Sequence, residues 1–361
     1  MRALDPKRTT ERAIGVAVVA FAVFAPTLVG TATWIDPILT PTLIFGLGVA
    51  SLIFLSAYGG MISLAQTALM GIAGYAIGNM VSKGGAGGET KGLALGWDPT
   101  LSLVLALAIT VLVAFVFGAI ASRSYGIYFL MLTLTFGVIG NLFFGSVTRL
   151  GGFSPIAGID SNAPGFVGDI VSDRDRLYYI ALGCALVGYV LVRYLVRTPF
   201  GLSFQGIRDE PVRMASLGYA VPLHRMLAFT FAGFLAGVAG VLMAWWNGQI
   251  SPSDLGLGAT ISMLVMAVIG GLSRIEGAFL GAFAFTLIEN KVREGEFLDF
   301  LVPVPGLGGT FNTVVGFIFL AIVVVSPDGL MGIWERLWSF RRPRGAPAGT
   351  APAAGTASGG G

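Results

Sequence analysis

Charged residues are sparse along this chain, and the stretches between them are apolar. Segments free of Asp, Glu, Lys and Arg run over 13–35, 37–82, 99–122, 124–148, 177–192, 226–253, 255–273, 277–288 and 300–327. A helix needs about 20 apolar residues to cross a hydrocarbon core of roughly 30 Å. At about 1.5 Å per residue, 37–82 exceeds twice that thickness, so it divides into two spans. Tyr58-Gly59-Gly60 is its natural turn. The pattern predicts an all-α polytopic integral membrane protein of about ten transmembrane helices. The weakest is 277–288, short enough to be re-entrant or buried in the bundle. The apolar runs are continuous rather than alternating, which speaks against a β-barrel.

Charge asymmetry orients these spans. With both termini in the cytoplasm, fifteen of the 22 Lys and Arg residues lie inside and seven outside, as the positive-inside rule requires. The chain then reads as a cytoplasmic tail over 1–12, a transmembrane domain over 13–327 and a cytoplasmic tail over 328–361. The last of these is disordered after about 344, where Ala, Pro, Gly, Ser and Thr dominate. Trp34, Trp97, Trp245 and Trp246 fall at outer ends, and Trp334 and Trp338 just past the last inner end, where an aromatic belt belongs.

Composition narrows the chemistry. Charged residues are 11% of the chain, against roughly 25% in soluble domains, so a water-facing skin is lacking. A single Cys and a single His leave no internal disulfide and no Cys or His metal site. No paired intramembrane carboxylates suggest an enzyme, and no Gly-x-x-x-x-Gly-Lys-[Ser/Thr] phosphate loop suggests an ATPase.

Polar residues inside the predicted spans include Ser63, Gln66, Asn79, Thr133, Thr135, Asn141, Asn247, Gln249 and Asn312. Such groups face the bundle interior, either as interhelical hydrogen-bond partners or as the wall of a polar solute path. The path candidates are Ser63, Gln66, Tyr75, Thr133, Thr135 and Asn141. A neutral path suits a small uncharged or zwitterionic solute, and the lack of an acid chain argues against proton pumping. Gly74/Gly78, Gly233/Gly237 and Gly277/Gly281 carry the small-xxx-small spacing of close helix packing. Two Gly-Gly turns, Gly59-Gly60 and Gly270-Gly271, hint at an internal repeat.

The one substantial cytoplasmic loop is 197–225. Asp209, Glu210 and Pro211 signal a helix start and Gly218 a stop, which predicts a short surface helix between them. Phe200, Phe204 and Ile207 are expected as exposed apolar groups beside it. The loop reads either as a docking element for another protein or as a helix resting on the lipid surface.

At this point the sequence resembles a known family. Gly60-Met61-Ile62-Ser63-Leu64-Ala65-Gln66 with Gly71-Ile72-Ala73-Gly74-Tyr75 is similar to the first-half signature of LivM-type permeases of branched-chain amino acid importers. Arg197-Thr198-Pro199-Phe200-Gly201, Ile207-Arg208-Asp209-Glu210 and Ala215-Ser216-Leu217-Gly218 are similar to that family's cytoplasmic loop. Ala228-Phe229, 236–240, Gly270-Gly271 and 277–281 continue the likeness, which runs from about residue 40 to 330.

The resemblance implies a permease subunit of an ATP-binding-cassette importer in the bacterial cytoplasmic membrane, with no cofactor of its own. It implies a second, LivH-like permease, two cytoplasmic ATPase subunits using ATP and Mg, an extracytoplasmic substrate-binding protein, and surrounding lipid, but no nucleic acid. It implies that 208–218 is the coupling helix, with Phe204, Ile207, Arg208, Asp209, Glu210, Arg213, Ala215, Leu217 and Gly218 in contact with the ATPase. Leu202-Ser203-Phe204-Gln205 is less basic than the family pattern, and Pro211 stands where related importers carry Ala. The implied solute is a branched-chain or other apolar amino acid; similar permeases serve urea, short amides and other small organic solutes. A stand-alone secondary carrier or channel is the rival from another class.

Overall fold

The computed structural model describes residues 31–82, 92–165, 167, 168, 170, 174–293, 316, 329 and 330. The predicted span 13–35 up to residue 30, most of 300–327, the tail 1–12, the tail 328–361 apart from 329 and 330, Asn312, Trp334 and Trp338 lie outside them.

A π-helical lead-in, Thr31–Leu39, runs into α1 (Thr40–Gly59). Then come α2 (Gln66–Val81), α3 (Pro99–Ala121) and α4 (Gly126–Ser146). After a loop containing β1 (Ile156–Ala157) follow α5 (Arg174–Arg197), α6 (Pro199–Asp209) and α7 (Pro211–Ser216). The long α8 (Val221–Asn247), β2 (Gln249–Ile250), α9 (Leu257–Gly270) and α10 (Glu276–Arg293) complete the described chain. Five helical segments among the described residues are long and apolar enough to cross a membrane: Trp34–Gly59, Pro99–Ala121, Gly126–Ser146, Arg174–Arg197 and Val221–Asn247.

Several boundaries follow from local chemistry. Asp98 caps α3, its carboxylate accepting from the N–H groups of Thr100 at 2.8 Å and Leu101 at 3.4 Å, and Pro99 occupies the first turn. Those two N–H bonds hold the Asp98 carboxyl below its usual range. The predicted division of 37–82 falls where expected. Gly60 closes α1 with φ of +62°, a left-handed conformation that glycine adopts without strain.

α8 is the hub, packed on α1, α2 and α3. The small-residue pairs act at its contacts. A Cβ on Gly233 would lie 2.3 Å from the Ala114 methyl, and one on Gly237 would lie 3.0 Å from Thr110. Gly240 approaches the Met70 carbonyl so closely that a Cβ would stand 2.0 Å away. Gly277 and Gly281 let α10 touch the backbone of α9 in the same way, Gly281 against the Met266 carbonyl.

The 12-residue uncharged stretch 277–288 lies within α10, a continuous helix rather than a hairpin. The shortened helix is α9. The linker ahead of it pairs with the α4–α5 loop, Ile156 opposite Ile250, and descends beside α2. Ile250 lies against Gly74 and Gly78, and Leu255 against Gly71. Among the predicted belt residues, Trp34 and Trp97 are exposed, but Trp245 is buried in the core and Trp246 donates to the Asp36 carbonyl at 3.3 Å. Burial between α8, the lead-in and the α4–α5 loop removes Trp245 from the lipid surface.

Candidate functional site

Two regions hold the residues singled out from the sequence. The first is the helix pair α6–α7. Thr198 caps α6, its hydroxyl accepting from the Gly201 N–H at 3.3 Å, and Pro199 begins the first turn. Gly201, Phe204 and Ile207 share the buried side of α6. Phe204 fills the space left by Gly59, where a Cβ would stand 2.2 Å from its ring. It stacks between Phe54 of α1 at 5.9 Å and Phe200 at 6.3 Å, and Phe200 stacks on His224 at 5.4 Å. An aromatic column therefore ties α6 to α1 and to the first turn of α8.

This corrects an expectation: Phe204 and Ile207 are each 1% exposed. They root the loop in the bundle and present nothing to a partner. The 197–225 loop is two helices, with a break at Glu210, which stops α6 and precedes Pro211 of α7. The expected coupling helix 208–218 thus spans the end of α6, the break and all of α7. Thr198-Pro199 and the spacing of Gly201, Phe204 and Ile207 were the available signals for α6.

Polar contacts fix the junction. Arg208 donates to the Ala57 carbonyl at the end of α1 and pairs with Asp209 at 2.8 Å. Gln205 donates to the carbonyls of Val196 at 3.2 Å and Gly201 at 3.1 Å. α7 itself is open. Val212 is 78% and Leu217 66% exposed, and Arg213, Ala215 and Gly218 are exposed too. Arg225, read from sequence only as an inside charge, is buried. It donates to the Ser124 carbonyl at 3.0 Å, and its guanidinium lies 3.9 Å over the Tyr125 ring. It joins the start of α8 to the α3–α4 turn.

Beside this junction a cavity of about 370 Å³ is lined by Ser56, Ala57, Gly60, Ile62, Arg208, Leu272 and Ser273. Both Gly-Gly turns meet here, and the Ser56 hydroxyl donates to the Leu272 carbonyl at 3.2 Å.

The second region surrounds the beginnings of α2 and α9. Ser51, Gln66 and Ser63 form a buried chain: Ser51 donates to Gln66 Oε1 at 3.2 Å, and Gln66 Nε2 donates to Ser63 at 3.5 Å. Thr133 Oγ1 accepts the Leu64 N–H at 3.1 Å. Thr67 and Thr260 join at 2.7 Å between their hydroxyls. Asn141 donates to the Pro252 carbonyl at 2.6 Å. Tyr75 stacks on Phe144 at 4.2 Å, with its hydroxyl buried and unpartnered. Thr135 bonds its own helix at Met131 and faces outward. The structure therefore gathers Ser63, Gln66 and Thr133 at the start of α2, places Tyr75 and Asn141 nearer β2, and leaves Thr135 apart. Among the described residues none of the six lines the 370 Å³ cavity.

A helical bundle with several membrane-spanning segments, close-packed through glycine and carrying a rooted helix pair at one end, is the architecture of a polytopic permease. Residues 34–325 match the family model described as branched-chain amino acid transport system / permease component, and the chain belongs to that family. It is 32% identical over 216 residues to an autoinducer 2 import system permease protein LsrC of Enterobacter sp. (strain 638), covering 56% of this chain and 61% of that protein. It is 25% identical over 191 residues to the high-affinity branched-chain amino acid transport system permease protein LivM of Salmonella typhimurium, covering 52% and 40%. It is 28% identical over 155 residues to a probable branched-chain amino acid transport permease protein LivH of Methanocaldococcus jannaschii, covering 42% and 46%. The matched regions span between about two fifths and three fifths of these relatives' own lengths. No solved structure matches the chain.

Proposed function

We propose that this chain is the translocation subunit of an ATP-binding-cassette importer, energised by separate ATPase subunits and fed by an extracytoplasmic binding protein. The observation that carries the reading is the α6–α7 pair, rooted by Phe204 and Ile207 and open at Val212 and Leu217. A rigid root with an apolar tip suits the transfer of a push from a docked ATPase into α1 and α8. The chain works beside a second permease, homologous or identical, and its α7 end faces the cytoplasm, as the charge distribution favours.

The solute is a small neutral or zwitterionic organic molecule, with apolar amino acids the first class to test. The LsrC likeness supports a second reading, autoinducer 2 or a solute like it. Both readings suit buried polar groups without an intramembrane acid relay. The test is reconstitution of the chain with its partner permease, ATPases and binding protein in liposomes. ATP-dependent accumulation is expected, and uphill uptake by this chain alone under an ion gradient overturns the proposal.

A further inference from the structure

The start of α9 is deep in the bundle yet open on one side. Thr260 stands about 15 Å along α9 from Gly270, at about 1.5 Å per residue, and its hydroxyl meets that of Thr67. From Thr67, α2 continues for about 21 Å to Val81 on the same rise. The Thr67–Thr260 contact is therefore near the middle of a hydrocarbon core of roughly 30 Å, and α9 begins within about one turn of it.

At this depth the backbone is irregular. The N–H groups of Leu257, Gly258 and Ala259 have no acceptor inside the helix, and the cap residue Gly256 has no side chain to offer one. On the inner side the linker is held: Asn141 bonds Pro252, and Ser251 and Asp254 cap each other. On the other side Ser253, Leu257, Gly258 and Ile261 are exposed. Hydrocarbon does not tolerate an irregular backbone with free N–H groups; at membrane depth such a segment is covered by protein or faces water. The exposed side of α5 offers the contrast. Tyr179, Gly183, Val187, Val190 and Tyr194 stand on one continuous helix whose interior N–H groups are paired, a surface suited to lipid.

We propose that the outward side of residues 253–261 is a wall of the water-filled solute path. The identity of the traffic rests on the importer reading above; the contact with water does not.

Two glycines make a matched test. A Cβ on Gly258 or on Gly183 meets nothing within 4 Å, so each accepts a cysteine. In the assembled transporter in membranes, with Cys184→Ala removing the native thiol, Gly258→Cys and Gly183→Cys are exposed to a charged, membrane-impermeant methanethiosulfonate. Gly258→Cys is expected to react at least about tenfold faster, because the reagent and the thiolate both need water. Equal rates, or no reaction at Gly258→Cys, overturn the proposal. Should Gly258→Cys fail to reach the membrane, Ser253→Cys on the same side is read by the same two outcomes. Uptake by membranes carrying only Cys184→Ala, with the path wall unaltered, separates the two readings. Labelling without ATP-driven uptake removes the importer and leaves the wall; uptake without labelling removes the wall alone.

Discussion

Gly59 and Phe204 act as one unit. The missing side chain of one is the socket of the other, and the ring is enclosed by Phe54 and Phe200. Phe204→Ala is expected to cost about 3 kcal/mol or more of stability, the range for emptying a buried aromatic site. Gly59→Leu should be worse, because the new side chain and the ring claim the same space. Thermal unfolding of the purified subunit in detergent checks both. Gln66 gives a second residue-scale case. Its amide bridges Ser51 and Ser63 with no exposed surface, while Ser51 also donates to the Gly48 carbonyl at 2.6 Å and Ser63 also accepts the Ala65 N–H at 3.3 Å; Gln66→Leu therefore removes two buried hydrogen bonds without leaving either hydroxyl unpartnered, and is expected to destabilise by about 1–3 kcal/mol. A changed solute preference at unaltered stability would instead favour a place in the path wall. Asp98 supplies a pH-dependent case. Its folded-state pKa is depressed by the two N–H bonds, so its contribution is present above the ordinary aspartate range. It is lost as pH falls from there through the depressed folded value. Asp98→Asn keeps the cap and is expected to flatten the acid side of a stability–pH profile.

Among elements, α7 should separate docking from folding. Val212→Asp and Leu217→Asp alter exposed side chains and are expected to leave unfolding temperature unchanged while lowering ATPase co-purification severalfold. Glu210→Lys, at the break, should do the same; unchanged co-purification would count against the coupling role. The helices themselves were legible from sequence because a span is a matter of run length, and charges at 36, 98, 123, 149 and 176 mark the ends. Two elements were not. α6 escaped notice because a short helix lying against a bundle buries aromatic residues that look like surface knobs in isolation. The late start of α9 was hidden because an uncharged run of ordinary length says nothing about where its helix begins. Ser251-Pro252-Ser253-Asp254, a cluster of turn formers, was the mark of the interruption. The candidate path residues were found as polar positions, but hydrogen-bond partners tens or hundreds of residues away decide which side of a helix they serve.

At the scale of the molecule, glycine sets the spacing. α8 meets α2 at Gly240, and α9 meets α10 at Gly270, Gly277 and Gly281, each with backbone against backbone. Gly281→Val is expected to drive these two helices apart and to reduce the yield of membrane-inserted, detergent-stable protein strongly. The aromatic column and the Arg225 clamp connect the α6–α7 junction with α1, α8 and the α3–α4 turn, so displacement at that junction reaches three parts of the bundle at once. The aromatic column that roots this junction is interior, and exposed side chains run along the short helix Pro211–Ser216 and its flank to Gly218, Val212 and Leu217 among them. On the docking reading proposed above, recognition is thereby uncoupled from architecture. A graft of that small tip from one transporter to another should redirect which motor the subunit recruits while leaving its cargo untouched.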